Sequence, residues 1–578
     1  MELKTFFDNF ETMAEAPNGV QKLREMILQL AVQGNLVPQD PNDEPASVLV
    51  EKIKTEKKRL SKEGKIKRFK DLPAISTDLF PWRLPENWDW TRLAAIGLVN
   101  PRNDVSDDIK VSFIPMKLIP VKLGENVQFE ERIWSDVKQG FTHLAEGDVV
   151  CAKITPCFQN GKSAVLRNLV NGIGAGTTEL HVFRSVSDEI LADYVLLFLK
   201  SASFLNNGVD VMTGSAGQKR VPADYFAMRP FPLPPTNEQK RIVAKVDELM
   251  VLCDDLEARK KQSRQTCIQL NDACIDKMLA AREPARFNKH WQRIHTNFDL
   301  LYSQPENVNK LRQAILQLAV QGKLVPQDPN DEPASVLLEK FQALRERTVE
   351  EGRVKAFKST NMVMTDETHF KKPAGWEWTR LGALSISMTN GIYKPAKYYS
   401  DTGVGCLRMY NINNGKINFE NLKRMELDTG EIEKYRLHKG DLLVNRVNSR
   451  ELVGKAAVVW DLKEPLVFES KNIRVCLVNN TILPFYLNIF FQTSYVKDVF
   501  QGTAKQTCGQ ASISQPQIAG IPTPLPPLNE QRRIVAKVDQ LMALCDDLET
   551  KLQKSQKRNH QLMEAAVVEM LAFEKYAV

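Results

Sequence analysis

Cysteine and histidine are scarce, nine and seven in 578 residues, and no two cysteines stand as Cys-x-x-Cys. The nearest pair, Cys151 and Cys157, lacks the spacing of a zinc site, and an odd count argues against a disulfide framework. Reduced thiols packed as small hydrophobes are the expectation. Long apolar runs are also missing. Tyr194–Leu199 and Leu483–Phe491 are the most apolar stretches, far short of the ~18 residues a membrane span needs. Met1–Phe10 mixes charge with aromatics and shows no apolar signal region. A soluble, cytoplasmic chain with no membrane partner is expected. Charge of one sign is modest: 78 basic against 71 acidic residues leave +7. Glu51–Lys70, with ten Lys/Arg and three Glu, equals that whole excess. Such a run reads either as a solvated helix face or as a phosphate contact. Apolar residues at 43% and charged ones at 26% are ordinary for a globular protein, and the length suggests roughly three or four units.

Catalytic signatures are absent. Gly161-Lys162-Ser163 resembles the end of a phosphate-binding loop, but Pro156 stands where the upstream glycine is required. Gly172-Ile-Gly-Ala-Gly176 runs into Thr177-Thr-Glu-Leu-His181, a strand pattern rather than a helix whose N-terminus holds phosphate. No Asn-Pro-Pro-aromatic tetrapeptide of the kind used on a flipped base occurs. Nothing points to an enzyme.

What the chain does have is duplication. Val20–Leu49 matches Val308–Leu337 at 26 of 30 positions with an offset of 288. Leu233-Pro-Pro-Thr-Asn-Glu-Gln-Lys-Arg-Ile-Val-Ala-Lys-Val-Asp247 returns at Leu525–Asp539 with an offset of 292. In the first repeat Leu23, Ile27, Leu30 and Ala31 share a helical face that Gly34 and Pro38 end. The second opens with Asn237 and Asn529 as candidate N-caps. Ile242, Val246, Leu249, Cys253 and Leu256 then step by four and three, as do Ile534, Val538, Leu541, Cys545, Leu548 and Leu552. That is a coiled-coil seam, with two amphipathic helices on globular cores as the plainer reading. Lys260 and Ser263 interrupt the first seam before Cys267, Leu270 and Cys274 resume it.

Between the repeats lie two middles, 86–229 and 374–527, with short β-like runs. They align only in islands, Gly147-Asp-Val-Val with Gly440-Asp-Leu-Leu and Gly161-Lys-Ser-Ala-Val165 with Gly454-Lys-Ala-Ala-Val458. Near-identical flanks imply one structural demand met twice, whereas divergent middles imply two ligands. Drifting loops after a recent duplication are the bland alternative. Arg, Lys, Asn and Gln read base edges in the major groove. The first middle offers Lys153, Gln159, Asn160 and Lys162 in one loop-like stretch, then Gln218, Lys219 and Arg220. The second offers Asn445, Arg446, Asn448, Arg450 and Lys455, then Lys505, Gln506 and Gln510. Each alone is more often plain exposed surface. The middles carry about −2 and +5, so bulk charge makes no case for the first.

The order variable region, conserved helix, variable region, conserved helix resembles the specificity subunits of type I restriction–modification enzymes. The carriers are Leu-Pro-Pro-x-Asn-Glu-Gln-x-Arg-Ile-Val before each long helix and Trp-x-Trp-x-x-Leu at the start of each middle. Cys406-Leu-Arg-Met-Tyr-Asn-Ile-Asn413 and Lys439-Gly-Asp-Leu-Leu-Val-Asn-Arg446 also fit, while the first middle departs most from the family wording. The resemblance implies an α+β fold: two pseudo-repeated mixed target-recognition domains separated by a pair of long antiparallel coiled-coil helices. It implies a helical segment 1–85, target-recognition domains at 86–229 and 374–527, and a central region 230–373 with a long helix over about 237–282. A C-terminal helix would fill 528–578. Each domain would read one half of a split site in double-stranded DNA. Ile242, Val246, Leu249, Leu256, Ile534, Val538, Leu541 and Leu548 would serve the spacer helices and partner docking. Two modification subunits using S-adenosylmethionine and two restriction subunits using ATP and Mg2+ would supply the chemistry, with no cofactor on this chain. A duplicated protein–protein scaffold that never reads DNA is the alternative.

Overall fold

The computed structural model describes residues 10–66, 72–76, 79–215, 217–350, 363–477, 482–507 and 509–571. It divides into two compact units, Met1–Ser263 with Lys554–Val578, and Arg264–Gln553. Helix and sheet are mixed in both, as an α+β chain requires.

Unit 1 begins with helices Phe10–Glu15, Gly19–Gln33 and Ala46–Lys62. Gly34 ends the second of these in the left-handed conformation (φ 77°), and Asn35 N donates to Leu30 O at 3.0 Å. A Cβ on Gly34 would stand 2.5 Å from the Pro85 ring, so glycine is required there twice over. Unit 2 repeats the arrangement with helix Pro305–Val320 and Gly322 (φ 66°) against Pro373.

The first middle holds two four-stranded sheets. One is antiparallel, in the order Gly97–Val99, Leu180–Ser185, Val149–Ala152, Ser163–Val165. The other orders Glu130–Ile133, Lys110–Ile114, Ile173–Gly176 and Thr142–Ala145, with one parallel pairing, Ser112 opposite Gly174. The second middle has the same pair of sheets, built on Ser385–Asn390, Asn472–Leu477, Leu442–Asn445, Ala456–Val458 and on Tyr399–Ser400, Lys423–Met425, Val404–Leu407, Leu466–Phe468. A two-stranded ribbon closes each module at its neck, in one register: Trp90 opposite Pro232, and Trp378 opposite Pro524. Gly161 and Gly172-Ile-Gly-Ala-Gly176 fall in turns and strands of this framework, consistent with their lacking phosphate-loop geometry.

The long helices run Thr236–Ala280 and Leu528–Leu571. Asn237 and Asn529 are not N-caps. The helices start earlier because Pro235 O and Pro527 O accept the first turn's bonds, from Gln239 N and Gln531 N. In unit 1 the buried stripe Ile242, Val246, Leu249, Cys253 shares a core with Leu23 and Ile27 of the opening helix, with Leu256 packed against it. Met563, from the far end of the second long helix, completes that core. In unit 2 Ile534, Val538 and Cys545 join Val308, Ile315 and Trp376 in the core, flanked by Leu541 and Leu548. There Leu548 also packs against Ile275 and Met278 from the end of the first long helix. Each unit therefore joins the beginning of one long helix to the end of the other, an antiparallel pairing.

The seam differs from expectation after Ser263. Leu270 is 46% exposed, and the buried stripe is Asn271, Ile275 and Met278. Lys260 interrupts the apolar pattern because its ammonium caps the carbonyls of Ala14, Glu15 and Ala16 at 2.8–3.0 Å. The described cysteines are all free, and four of them, Cys151, Cys253, Cys406 and Cys545, are buried. Burial pushes the Cys151 thiol up to about 12, far from reactive thiolate.

Candidate nucleic-acid interface

The two repeats that define the sequence meet in space. Gln39 Nε2, from Leu-Val-Pro-Gln, donates to Glu238 Oε1 at 2.8 Å, and Asp43 pairs with Arg241 at 2.7 Å. Unit 2 reproduces both contacts: Gln327 to Glu530 at 3.1 Å and Asp331 with Arg533 at 2.7 Å. Burial pushes both Glu238 and Glu530 up from the usual carboxylate range, and the amide partners pull them partly back. Gln239 and Gln531 are fully buried beside them. Gln239 Oε1 accepts from Leu191 N at 2.9 Å, and Gln531 Oε1 accepts from Leu483 N at 2.9 Å. The Glu-Gln pair of Asn-Glu-Gln-x-Arg is thus a buried latch, with the half-buried arginine at its rim, fastening the long helix to its module.

On that shared frame the two modules present different chemistry. Lys153 N donates to Glu179 O at 2.9 Å and Val221 N to Lys153 O at 2.8 Å. The same ladder recurs as Arg446 N to Lys471 O at 2.8 Å and Ile513 N to Arg446 O at 2.9 Å. Glu179 and Lys471 therefore occupy one frame position with opposite charge. In unit 1 the Glu179 carboxylate chelates the Arg220 guanidinium through Nε and Nη2 at 2.8–3.2 Å, which holds the acid below its usual range. Lys153, Gln218, Lys219 and Arg220 lie together here, with Thr155 N bonded to Lys219 O and an antiparallel bridge from Ile154 to Arg220.

Gln159, Asn160 and Lys162 do not join them. Gln159 and Asn160 are exposed and line a groove of about 1260 Å³ with Lys22, Lys122, Asp247 and Asp254, a wall of mixed sign. Lys162 turns inward, its ammonium donating to Met116 O at 2.9 Å.

In unit 2 the exposed Gln506 and Gln510 and the half-buried Asn448 come together on a three-stranded sheet, where Asn448 and Gln506 both face Ala511. Lys505 opens one edge strand, and Arg450 stands exposed just beyond the other, Val447–Asn448. Asn445 is fully buried, and its amide donates to Lys471 O and Asn472 Oδ1, both at 3.0 Å. It accepts from Asn448 Nδ2 at 2.8 Å, so it positions Asn448 from beneath. Lys455 is half-buried, and burial holds its ammonium below the usual range.

Three cations of the basic helix Ala46–Lys62 pair with acids of the helix or its flanks: Lys52 with Glu44, Lys54 with Glu51, and Arg59 with Glu56 and Glu63. Lys57 turns inward onto Ala94 O and Gly97 O. Lys67, Arg68 and Lys70 lie outside the described residues. Sequence reasoning missed Arg408, Glu469 and Lys471, because the first two are 61 positions apart and meet only through a parallel strand pairing.

Residues 139–263 and 373–557 match the family model for the type I restriction modification DNA specificity domain. The type I restriction enzyme EcoAI specificity subunit of Escherichia coli is 42% identical over 92% of this chain and 90% of its own length. The EcoEI specificity subunit, also of Escherichia coli, is 38% identical over 95% and 93%. The crystal structure of the HsdS subunit from Thermoanaerobacter tengcongensis aligns with 85% of this chain and 98% of its own, at 17% identity and a TM-score of 0.45. The family match spans more than half of the residues, and both relatives extend over nearly the whole length. The chain belongs to the type I restriction enzyme specificity subunits.

Proposed function

We propose that this chain reads a split, asymmetric site in double-stranded DNA for a type I restriction–modification complex and performs no catalysis itself. Module 86–229 reads one half and module 374–527 the other. The duplicated segments 1–85, 230–373 and 528–578 form a frame that fixes their spacing and docks partners. Two modification subunits would bring S-adenosylmethionine for adenine methylation, and two restriction subunits would bring ATP and Mg2+ chemistry. Pseudo-twofold frames suit equal partners in equal numbers.

One observation carries this reading: the same latch in both units supports corners of different charge, balanced where Glu179 pairs with Arg220 and positive where Lys471 stands with Arg446. A scaffold that only joined proteins would have no use for such divergence on a preserved backbone ladder. The test is to exchange 374–527 for another such module and map methylated adenines across a genome carrying the complete system. Only one half of the recognised site changes. A change in both halves, or in neither, defeats independent reading.

A further inference from the structure

Arg408 in unit 2 is held as a presented fork. Its Nε donates to Glu469 Oε2 at 3.0 Å, and the same carboxylate accepts Met409 N at 2.7 Å through Oε1. Glu469 is only 5% exposed, so this is a buried anchor behind a half-buried guanidinium. Tyr399 and Tyr410 flank the guanidinium, 5.0 and 5.3 Å from its carbon to each ring centre. Its two terminal nitrogens have no hydrogen-bond partner among the described residues. A guanidinium fixed from behind and from the sides, with its outer donors unused, is pre-organised for a two-pronged acceptor.

Two more cations share the corner. Lys471 lies two residues beyond Glu469, its ammonium 4.0 Å from Met409 Sδ. Arg446 is tied to Lys471 through the backbone ladder, and its Nε is buried without an acceptor. Neither Lys471 nor Arg446 makes an ion pair among the described residues. Glu469 pairs with Arg408 alone among the described residues, which leaves Lys471 and Arg446 as a surplus of positive charge at the corner.

The matching corner of unit 1 is built differently. Pro115 stands in place of Arg408, and Glu179, in place of Lys471, neutralises Arg220.

We propose that Arg408, Lys471 and Arg446 form a clamp for a backbone phosphate of the bound duplex, on the second half of the site only. The inference rests on the DNA reading proposed above and adds to it a sequence-independent anchor. A phosphodiester offers two anionic oxygens to the Arg408 fork, and the flanking cations complete its neutralisation.

The experiment uses the chain assembled with its modification subunits and a duplex carrying the genomic methylation site. Arg408→Gln with Lys471→Gln lowers the slope of log K against log salt by about 0.9, the contribution of the one phosphate no longer neutralised, and weakens binding to matched and mismatched duplexes alike. A neutral methylphosphonate placed singly along the second half weakens the wild type at one or two positions. At those positions it no longer affects the double variant. Glu469→Gln tests positioning: it removes a negative charge near the DNA, yet affinity falls because the fork is released. An unchanged salt slope, or loss of discrimination at a single base pair with the slope retained, overturns the clamp, as does tighter binding by Glu469→Gln. Failure of the underlying reading looks different: the wild type itself would then not prefer its site over a scrambled duplex.

Discussion

Replacing Gln531 by Met tests whether the latch holds the second module to its helix. The side chain is fully buried, its Oε1 accepting from Leu483 N at 2.9 Å and its Nε2 donating to Pro526 O at 3.0 Å. Methionine has nearly the same volume, so the cavity contribution is small. What remains is a buried amide and a buried carbonyl stripped of partners, about 1–3 kcal/mol each, or about 2–6 kcal/mol together. Against a total of about 5–15 kcal/mol for a domain, that is a large fraction. Leu483 immediately precedes helix Pro484–Phe491, so the damage should begin where that helix meets the long one. The expected result is a lower denaturation midpoint with an unchanged denaturant slope, and amide exchange at Leu483 accelerated by about thirtyfold or more. Gln239→Met should do the same to Leu191, which precedes Ala192–Lys200 in unit 1. A Leu483 amide as protected as in the wild type, with a stability change under about 0.5 kcal/mol, would refute the latch.

Burial against the Val121 and Gly161 carbonyls pulls the Lys200 ammonium down to about 8, whereas the unfolded chain keeps that proton to near 10.5. The unfolded state therefore binds more protons at this site between those values, and the Lys200 contribution to stability grows as pH rises from about 8 towards 10, opposed from about 9 by the buried Cys151 thiol, which stays protonated in the fold. Above 10 the trend reverses, because burial keeps Tyr194 protonated in the fold while unfolded tyrosines ionise. Unfolding midpoints of Lys200→Met should lack the rise between pH 8 and 10; identical slopes in both proteins would refute it. Gly454→Ala places a Cβ 2.1 Å from the Phe500 ring at φ 87° and should cost more than about 2 kcal/mol in thermal or urea unfolding. Its counterpart Gly161→Ala, at φ 68° with Leu205 a comfortable 3.5 Å away, should cost only the left-handed penalty of about 1 kcal/mol; equal losses would contradict the contrast. Leu252 and Leu544 are exposed at equivalent points of the two long helices, 40% and 59%. Changing both to Glu should leave folding within about 0.5 kcal/mol but weaken assembly with modification subunits if these exposed leucines belong to the docking face of the frame, measured by co-purification, and intact assembly would place that face elsewhere.

Much of the frame could be read from the residues because its rules are local. The helical face Leu23, Ile27, Leu30, Ala31, the stop at Gly34 and the stripe Ile242–Leu256 all follow from spacing within one element. The departures arise where distant residues decide. Lys260 breaks an apolar pattern only because the carbonyls of Ala14, Glu15 and Ala16, at the end of helix Phe10–Glu15, lie against its ammonium. Leu270 keeps the heptad step but faces solvent, since the helix meets the core around Ile294 and Tyr302 along Asn271, Ile275 and Met278. Asn445 looks in sequence like any polar residue of a turn. Strand pairing with Asn472 turns it inward, where it supports Asn448.

The same distinction separates what the two units share from what they do not. The latch must be buried to hold, so its residue types are set by the partners they face: glutamine for a backbone amide, glutamate for Gln39 or Gln327, arginine for Asp43 or Asp331. Substitution of the buried glutamine or glutamate leaves an unpaired group in the interior, at a cost of about 1–3 kcal/mol for each such group, whichever unit it occurs in. At the corners above the strands only the backbone ladder is constrained, because Lys153 and Arg446 make the same main-chain bonds whatever their side chains carry. Glu179 can therefore become Lys471 without disturbing a single ladder bond, and the charge presented at that corner changes from balanced to positive. A frame of this kind separates stability from recognition physically: the surface chemistry of a module can change while the helix that carries it, and the face that helix offers to a partner, stay fixed.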